Sequence, residues 1–332
     1  MGTPAQSLWL NRFLDRWSWT SRQRTHHLEQ HYEGVLGTDL HLHIVAPSAK
    51  DARFAETQML LEIERLENIY SRFLADSELN LWQSSRATWL DVSEDLLWLL
   101  SEGLFWMEMT SKAFHPGVDA LTQLWKTAAQ QGCPPEPSAI QETLNALTQP
   151  MWEAEGHKAR KLTPLPLNFN GFAKGRIVDL ACEKAFQSPR VESVLVNIGG
   201  DLRHLGHRGV QVDVAHPFAK ADNLPPFCRL KLQGQGFATS GNTHRGFQVG
   251  EAWHSHLIHP TSGWPVSEVV GVSVLASDSA TADVLATAFS VLPVAESLSL
   301  ADQLPGVGCL LVREDQQAFS NALWKQHVLP DP

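Results

Sequence analysis

Between residues 194 and 312 the chain offers five short strand-like runs: VLVNI (194–198), VQVDVA (210–215), RLKL (229–232), VGVSVLA (270–276) and CLLV (309–312). One helical stretch, near 279–291, interrupts them, and another, near 174–187, comes just before the first. A doubly wound parallel sheet needs a crossover helix between successive strands, so this spacing excludes it. The pattern fits an α+β fold with helices packed on mainly antiparallel sheets. The first half supplies the helices. VLGTDLHLHIV (35–45) turns at Gly37 and then sets Leu40, Leu42 and Ile44 against His41 and His43 as a half-buried strand. Met59, Ile63, Leu66 and Tyr70 fall at helical spacing in 51–72, and a second helix fits 94–110 after Ser93. CPPEP (133–137) breaks the chain, and Ser138 with Gln141 reads as a capping box for a helix ending near Leu147.

No repeat or low-complexity linker divides the sequence. One unit is expected over residues 35–330, behind an N-terminal extension, 1–34, that carries a short amphipathic helix. The formal net charge is −10 and no run of Lys and Arg occurs, which argues against nucleic acid as a partner. Cys133, Cys182, Cys228 and Cys309 are too scattered for a thiolate metal site or a disulfide framework. No stretch of about 18 apolar residues is present, and Asn11, Arg12, Asp15 and Arg16 interrupt the apolar start. A cytoplasmic protein without a membrane span is the expectation. The twelve Trp are read as packing residues.

Four segments could carry chemistry. NFNGFAKGRIVDLACE (168–183) enters a helix through Gly171 and Gly175, with Lys174 placed to reach an anion at the helix N-terminus. The plainer reading is a turn with a surface Lys. VNIGGD (196–201) runs a strand into paired glycines, which serve a ligand-facing turn or an ordinary hairpin, and it is not a dinucleotide fingerprint. ATSGNTHRGF (238–247) and HSHLIHPTSGWPV (254–266) gather hydroxyls, glycines and the histidines His254, His256 and His259. A zinc site there is a weaker alternative, because strand alternation sends His259 away from the other two. In SDSATADVLATAFSVL (277–292), Asp283 and Thr287 lie four apart on one helix face, a carboxylate and a hydroxyl suited to Mg²⁺. An exposed Asp and a Thr bonded back to its own helix would look the same.

Taken in order, GTDLHL (37–42), YSRFLADSEL (70–79), AFHPGVDALTQLW (113–125), NGFAKGRIVD (170–179), VNIGGD (196–201), ATSGNTHR (238–245), SHLIHPTSGWPV (255–266) and ATADVLATAFSVL (280–292) resemble the ApbE family of FAD:protein FMN transferases. The resemblance implies α+β layers around an FAD cleft, with FAD as substrate. It implies Mg²⁺ held by Asp283, Thr287 and a backbone oxygen near Gly171, with Lys174 beside the phosphates. It places Leu36, Phe73, Ala113, Phe114, His115, Asn168 and Ile258 along the flavin dinucleotide, and His256 as the candidate general base. The implied reaction moves FMN from FAD to a Thr or Ser hydroxyl of a partner flavoprotein and releases AMP. An FAD pyrophosphatase giving FMN and AMP, or a flavin-binding protein without catalysis, are the alternatives. This chain has His115, Asn168 and His259 where the resemblance implies that the family usually has Asp. Each exchange replaces an acceptor-only carboxylate with a group that can donate, and His115 and His259 are expected to become cationic at mildly acidic pH and attract phosphates.

Overall fold

The computed structural model describes residues 25–85, 88–218, 224–241 and 246–330. The N-terminal amphipathic helix and the NTHR part of 238–247 lie outside them. In chain order the first half contains β1 (His26–Val35), β2 (Thr38–Ala46), α1 (Ala49–Tyr70), α2 (Glu78–Ser84), β3 (Leu90–Asp91), α3 (Glu94–Met109), α4 (Asp119–Gln131) and α5 (Pro137–Leu147). A 3-10 turn, Pro116–Val118, leads into α4. Next come β4 (Trp152–Glu155), β5 (Lys158–Lys161), α6 (Asn170–Phe186), β6 (Ser193–Ile198), β7 (Asp201–Gly206), β8 (Val210–Val214), β9 (Cys228–Leu232) and β10 (Gly236–Gly241). The chain continues through β11 (Gly246–Val249), β12 (Ala252–Ser255), β13 (Val269–Ala276), α7 (Ser279–Phe289), α8 (Val294–Gln303), β14 (Gly308–Arg313), β15 (Ala318–Ser320) and α9 (Ala322–His327).

The main sheet has eight strands in the order β1-β2-β6-β7-β10-β13-β14-β15, every neighbouring pair antiparallel. The α+β reading is therefore correct. Strand alternation gives the sheet two different faces. Leu40, Leu42 and Ile44 of β2 and Val194, Val196 and Ile198 of β6 point into the larger core, where α1 contributes Met59, Ile63, Leu66 and Tyr70. On the other face, Leu202, Phe237, Leu275 and Leu310 are covered by Val212, Val214, Leu230 and Leu232 of the β8–β9 hairpin and by Trp324. A third cluster joins Leu121 and Trp125 of α4 to Phe247, Val249 and Ile258. Burying one such side chain contributes about 1.5–3 kcal/mol. Trp82, Trp125 and Trp324 are fully buried and pack in the core, whereas Trp253 and Trp264 are exposed.

Two boundaries differ from the sequence reading. The sheet begins at His26, because β1 pairs along β2 from His26↔Ala46 to Val35↔Thr38, inside the segment assigned to an extension. And α5 starts on Pro137 rather than on a capping box: Glu136 stands at the N-cap without a side-chain bond, and Gln141 donates to Asn145 Oδ1 at 3.0 Å. Proline at the first helical position presets φ and gives up an amide hydrogen that had no partner.

Candidate active site

The site is built where α6 crosses α7, a contact made along one i, i+4 stripe of each helix. Asp179 accepts from the backbone N–H groups of Ser279 and Ala280 at 2.7 and 2.9 Å, which closes the first turn of α7. One turn toward the start of α6, Gly175 leaves so little space that a Cβ there would stand 2.5 Å from the Ser279 carbonyl oxygen. Its N–H donates to Asp283 Oδ2 at 3.3 Å. A further turn back, a Cβ on Gly171 would lie 3.1 Å from the Phe114 ring and 3.3 Å from Thr287 Oγ1. Gly171, Asp283 and Thr287, the residues expected to hold the metal, thus face one another across the helix pair. Asp283 and Thr287 share a face as their spacing required.

The β6–β7 turn adds a residue the sequence reading passed over. Gly199 and Gly200 both take positive φ, +60° and +98°, and so bring Asp201 in at the start of β7. Lys174 Nζ stands 2.9 Å from Asp201 Oδ2; the Lys side chain is 29% exposed and the Asp side chain 2%. Burial raises Asp201, with Lys174 pulling the other way. Burial, and next the neighbouring Asp201, hold Asp283 well above the usual carboxylate range. Two buried carboxyl groups therefore share one ammonium. The pocket is short of positive charge and rich in oxygen donors, which fits a hard divalent cation. The signal for Asp201 was the Gly-Gly-Asp step after a strand, but its pairing with Lys174 exists only in the folded chain.

A second group sits at the entry to α6. Asn168 accepts the N–H of Asn170 on its Oδ1 at 2.9 Å and donates through Nδ2 to Asp119 Oδ1 at 3.1 Å. Asp119 Oδ2 also takes Arg72 Nη2 at 2.6 Å, and the Arg72 guanidinium lies 5.5 Å from the centre of the Phe73 ring. Phe73 is 80% exposed, whereas Ala113 and Phe114 are buried and Phe114 packs edge-on against Phe172. Leu36 is half-buried at φ +52° in the β1–β2 turn. Ile258 is buried in the third core cluster and forms an isolated bridge with Pro265.

The histidines behave differently from expectation. His115 is buried; its Nδ1 accepts the Gly117 N–H at 3.1 Å and its Nε2 donates to the Leu147 carbonyl at 3.2 Å. This arrangement requires the neutral ring, and burial pushes the group down to about 4. His259 is also lowered by burial, and its Nδ1 takes the Thr261 N–H and hydroxyl at 3.3 and 3.0 Å. The expectation of a cationic ring at mildly acidic pH is corrected for His115; at His259 burial works against the charge, and the ring is tied into a local turn. His254 packs on Trp125 with ring centres 4.9 Å apart, and His256 is half-buried just beyond β12. Among the described residues these histidines form no three-ligand cluster.

The ApbE family model matches residues 36–311. The FAD:protein FMN transferase of Vibrio cholerae is 28% identical over 283 residues, covering 82% of this chain and 84% of that protein. That of Treponema pallidum is 26% identical over 250 residues, 70% of this chain and 69% of the other. Among solved structures, the ApbE protein of Thermotoga maritima superposes with a TM-score of 0.78 at 23% identity, covering 92% of this chain and 100% of that one. The Pseudomonas stutzeri flavinyl transferase ApbE gives 0.74 at 20% identity, covering 92% and 98%. At these identities the two structures establish the fold.

Proposed function

The chain belongs to the ApbE family, and from that premise we propose that it is a Mg²⁺-dependent FAD:protein FMN transferase. The observation that carries the reading is the buried Asp201–Asp283 pair, with Lys174 the ammonium beside it among the described residues. Asp283, Thr287 and a backbone oxygen near Gly171 would hold the ion. When bound, it would offset charge developing on the pyrophosphate, as metals do in phosphoryl transfer.

The remaining roles fall to the chain itself. Lys174 is paired with Asp201 yet 29% exposed, so it can meet a phosphate at the mouth of the pair. Backbone N–H groups at the start of α6 add fixed donors for an anion. Phe73 is exposed and flat, suited to stacking on an aromatic ring of the dinucleotide, and Phe114, next to the buried Ala113, supports the wall beside Gly171. Asn168, His115 and Ile258 hold the loops that frame that wall. A Thr or Ser hydroxyl of the acceptor protein attacks the FMN-side phosphorus. Its proton passes to His256, the bond to the bridging oxygen breaks, and AMP leaves with that oxygen.

Incubating the protein with FAD, Mg²⁺ and a candidate acceptor tests this. AMP should appear in step with flavin fluorescence on the denatured acceptor band. AMP without labelled acceptor would make the protein a pyrophosphatase, and FAD binding without AMP would end the catalytic reading.

A further inference from the structure

The outer face of the main sheet is sealed by the β8–β9 hairpin over β7–β14, whereas among the described residues no such cover lies over β1 and β2. Antiparallel pairing sets His31 directly opposite His41, and alternation puts His27, Glu29, Asp39 and His43 on that same side. This is the face away from Leu40, Leu42 and Ile44, hence away from the core on which α1 and α6 pack. His31, Asp39 and His41 are all exposed, and one ligand atom of each lies within 4.8 Å of the other two. The His31 and His41 rings are stacked, 4.3 Å between centres and 9° from parallel. His31 Nε2 stands 3.8 Å from Asp39 Oδ2.

That last distance is too long for a hydrogen bond. It is close to the ~3.3 Å separating two donors that each hold a tetrahedral zinc at about 2.0–2.1 Å. A small rotamer adjustment of exposed side chains closes the difference. Beside the trio lies a recess of about 440 Å³ lined by Glu29, His43, Leu195 and Asn197, which leaves room for a water or an outside ligand in a fourth position. Two imidazoles and one carboxylate select a borderline divalent ion over Mg²⁺, whose preference is for oxygen alone. The chain's net charge of −10 favours cation capture.

We propose that His31, Asp39 and His41 form a zinc-binding site on the exposed face of the β1–β2 hairpin, separate from the oxygen-donor pocket between α6 and α7. The ion would clamp the edge strand β1 to β2.

The test is equilibrium dialysis of the full chain against micromolar Zn²⁺ in millimolar Mg²⁺, with metal counted per chain and folding checked by circular dichroism. One zinc per chain is expected. Loss of a residue that merely orients a metal ligand costs about 10–100-fold in affinity, so Asp39→Asn should weaken binding by more than about tenfold. His31→Ala/His41→Ala should abolish it. His27→Ala/His43→Ala and Asp283→Asn should retain it, and thermal stabilisation by zinc should follow the same division. The proposal is overturned if the wild-type chain keeps no zinc, if the His31/His41 double variant binds as the wild type does, or if zinc is lost with His43 or Asp283.

Discussion

His115 offers the clearest quantitative test of how this scaffold is built. In the folded chain both ring nitrogens are used, Nδ1 as acceptor for Gly117 and Nε2–H as donor to Leu147. A second proton on Nδ1 would displace the Gly117 N–H and put a charge where the residue is only 3% exposed. Burial accordingly pushes the group from 6.5 down to about 4. In the unfolded chain it titrates near 6.5. Between those values the unfolded state binds the extra proton, so the contribution is complete above pH 6.5 and is lost as pH falls toward 4. From pH 7.5 to pH 5 about 1.5 pH units act, at about 1.4 kcal/mol each, a loss of about 2 kcal/mol. In a chain of this size that corresponds to a Tm decrease of about 3–4 °C. His115→Asn keeps an acceptor for Gly117 and removes the titration. Thermal unfolding of both proteins at pH 7.5 and pH 5 should show the wild type falling further than the variant by that amount. Parallel pH profiles would refute a buried neutral His115 and reopen a cationic role toward phosphates.

Three further outcomes follow from the helix crossing and the histidine loop. Asp283→Asn should lower AMP release from FAD at millimolar Mg²⁺ by more than about 10²-fold, since it removes a ligand from an ion that takes few protein donors; undiminished release on chromatography would end the proposed metal role. His256→Ala should bind FAD in calorimetry as the wild type does while flavin transfer to an acceptor falls about 10²–10⁴-fold; equal loss of binding would make this a ligand-holding residue. Gly175→Ala places a Cβ 2.5 Å from the Ser279 carbonyl, so α6 and α7 must part, at a cost of about 1–3 kcal/mol; an unchanged urea midpoint would contradict the tight crossing.

What could be read from the sequence depended on whether the signal was local. Met59, Ile63, Leu66 and Tyr70 announce α1 through a strict helical period, and all are buried. Asp283 and Thr287 announce a shared face because four residues make about one turn of helix. By contrast, β1 buries only Leu28 fully, and an edge strand so polar on both faces gives little hydrophobic alternation to detect. The capping box at Ser138 failed because Pro137 claims the first helical position. Asp201 was visible only as the end of a glycine turn; its meeting with Lys174 and Asp283 joins three separate elements, and no local pattern encodes that. The stacked His31–His41 pair likewise depends on the register of β1 against β2, which the sequence reading did not contain.

The same logic bears on Asn168, where the family resemblance implies an Asp. Asp119 Oδ1 receives the Asn168 amide and its Oδ2 receives Arg72, so one carboxylate is shared between one cation and one neutral donor. An Asp at 168 could still accept the Asn170 N–H, but it would present a second carboxylate to Asp119 at hydrogen-bond distance. Two like charges about 4 Å apart repel by about 4 kcal/mol at an effective dielectric near 20, and Arg72 could neutralise only one of them. With Asp at 119, the amide at 168 preserves the contact and keeps the turn into α6 closed. One negative charge remains at this corner, carried by the partner across the hydrogen bond. His115 works in the same region by a different route, closing the Gly117 turn as a neutral acceptor. Neither departure removes a group from the Lys174–Asp201–Asp283 pocket. Both act on the entry to α6 and the turn before α4 rather than on that pocket, so under the proposed function their effect should fall on how a flavin dinucleotide is seated.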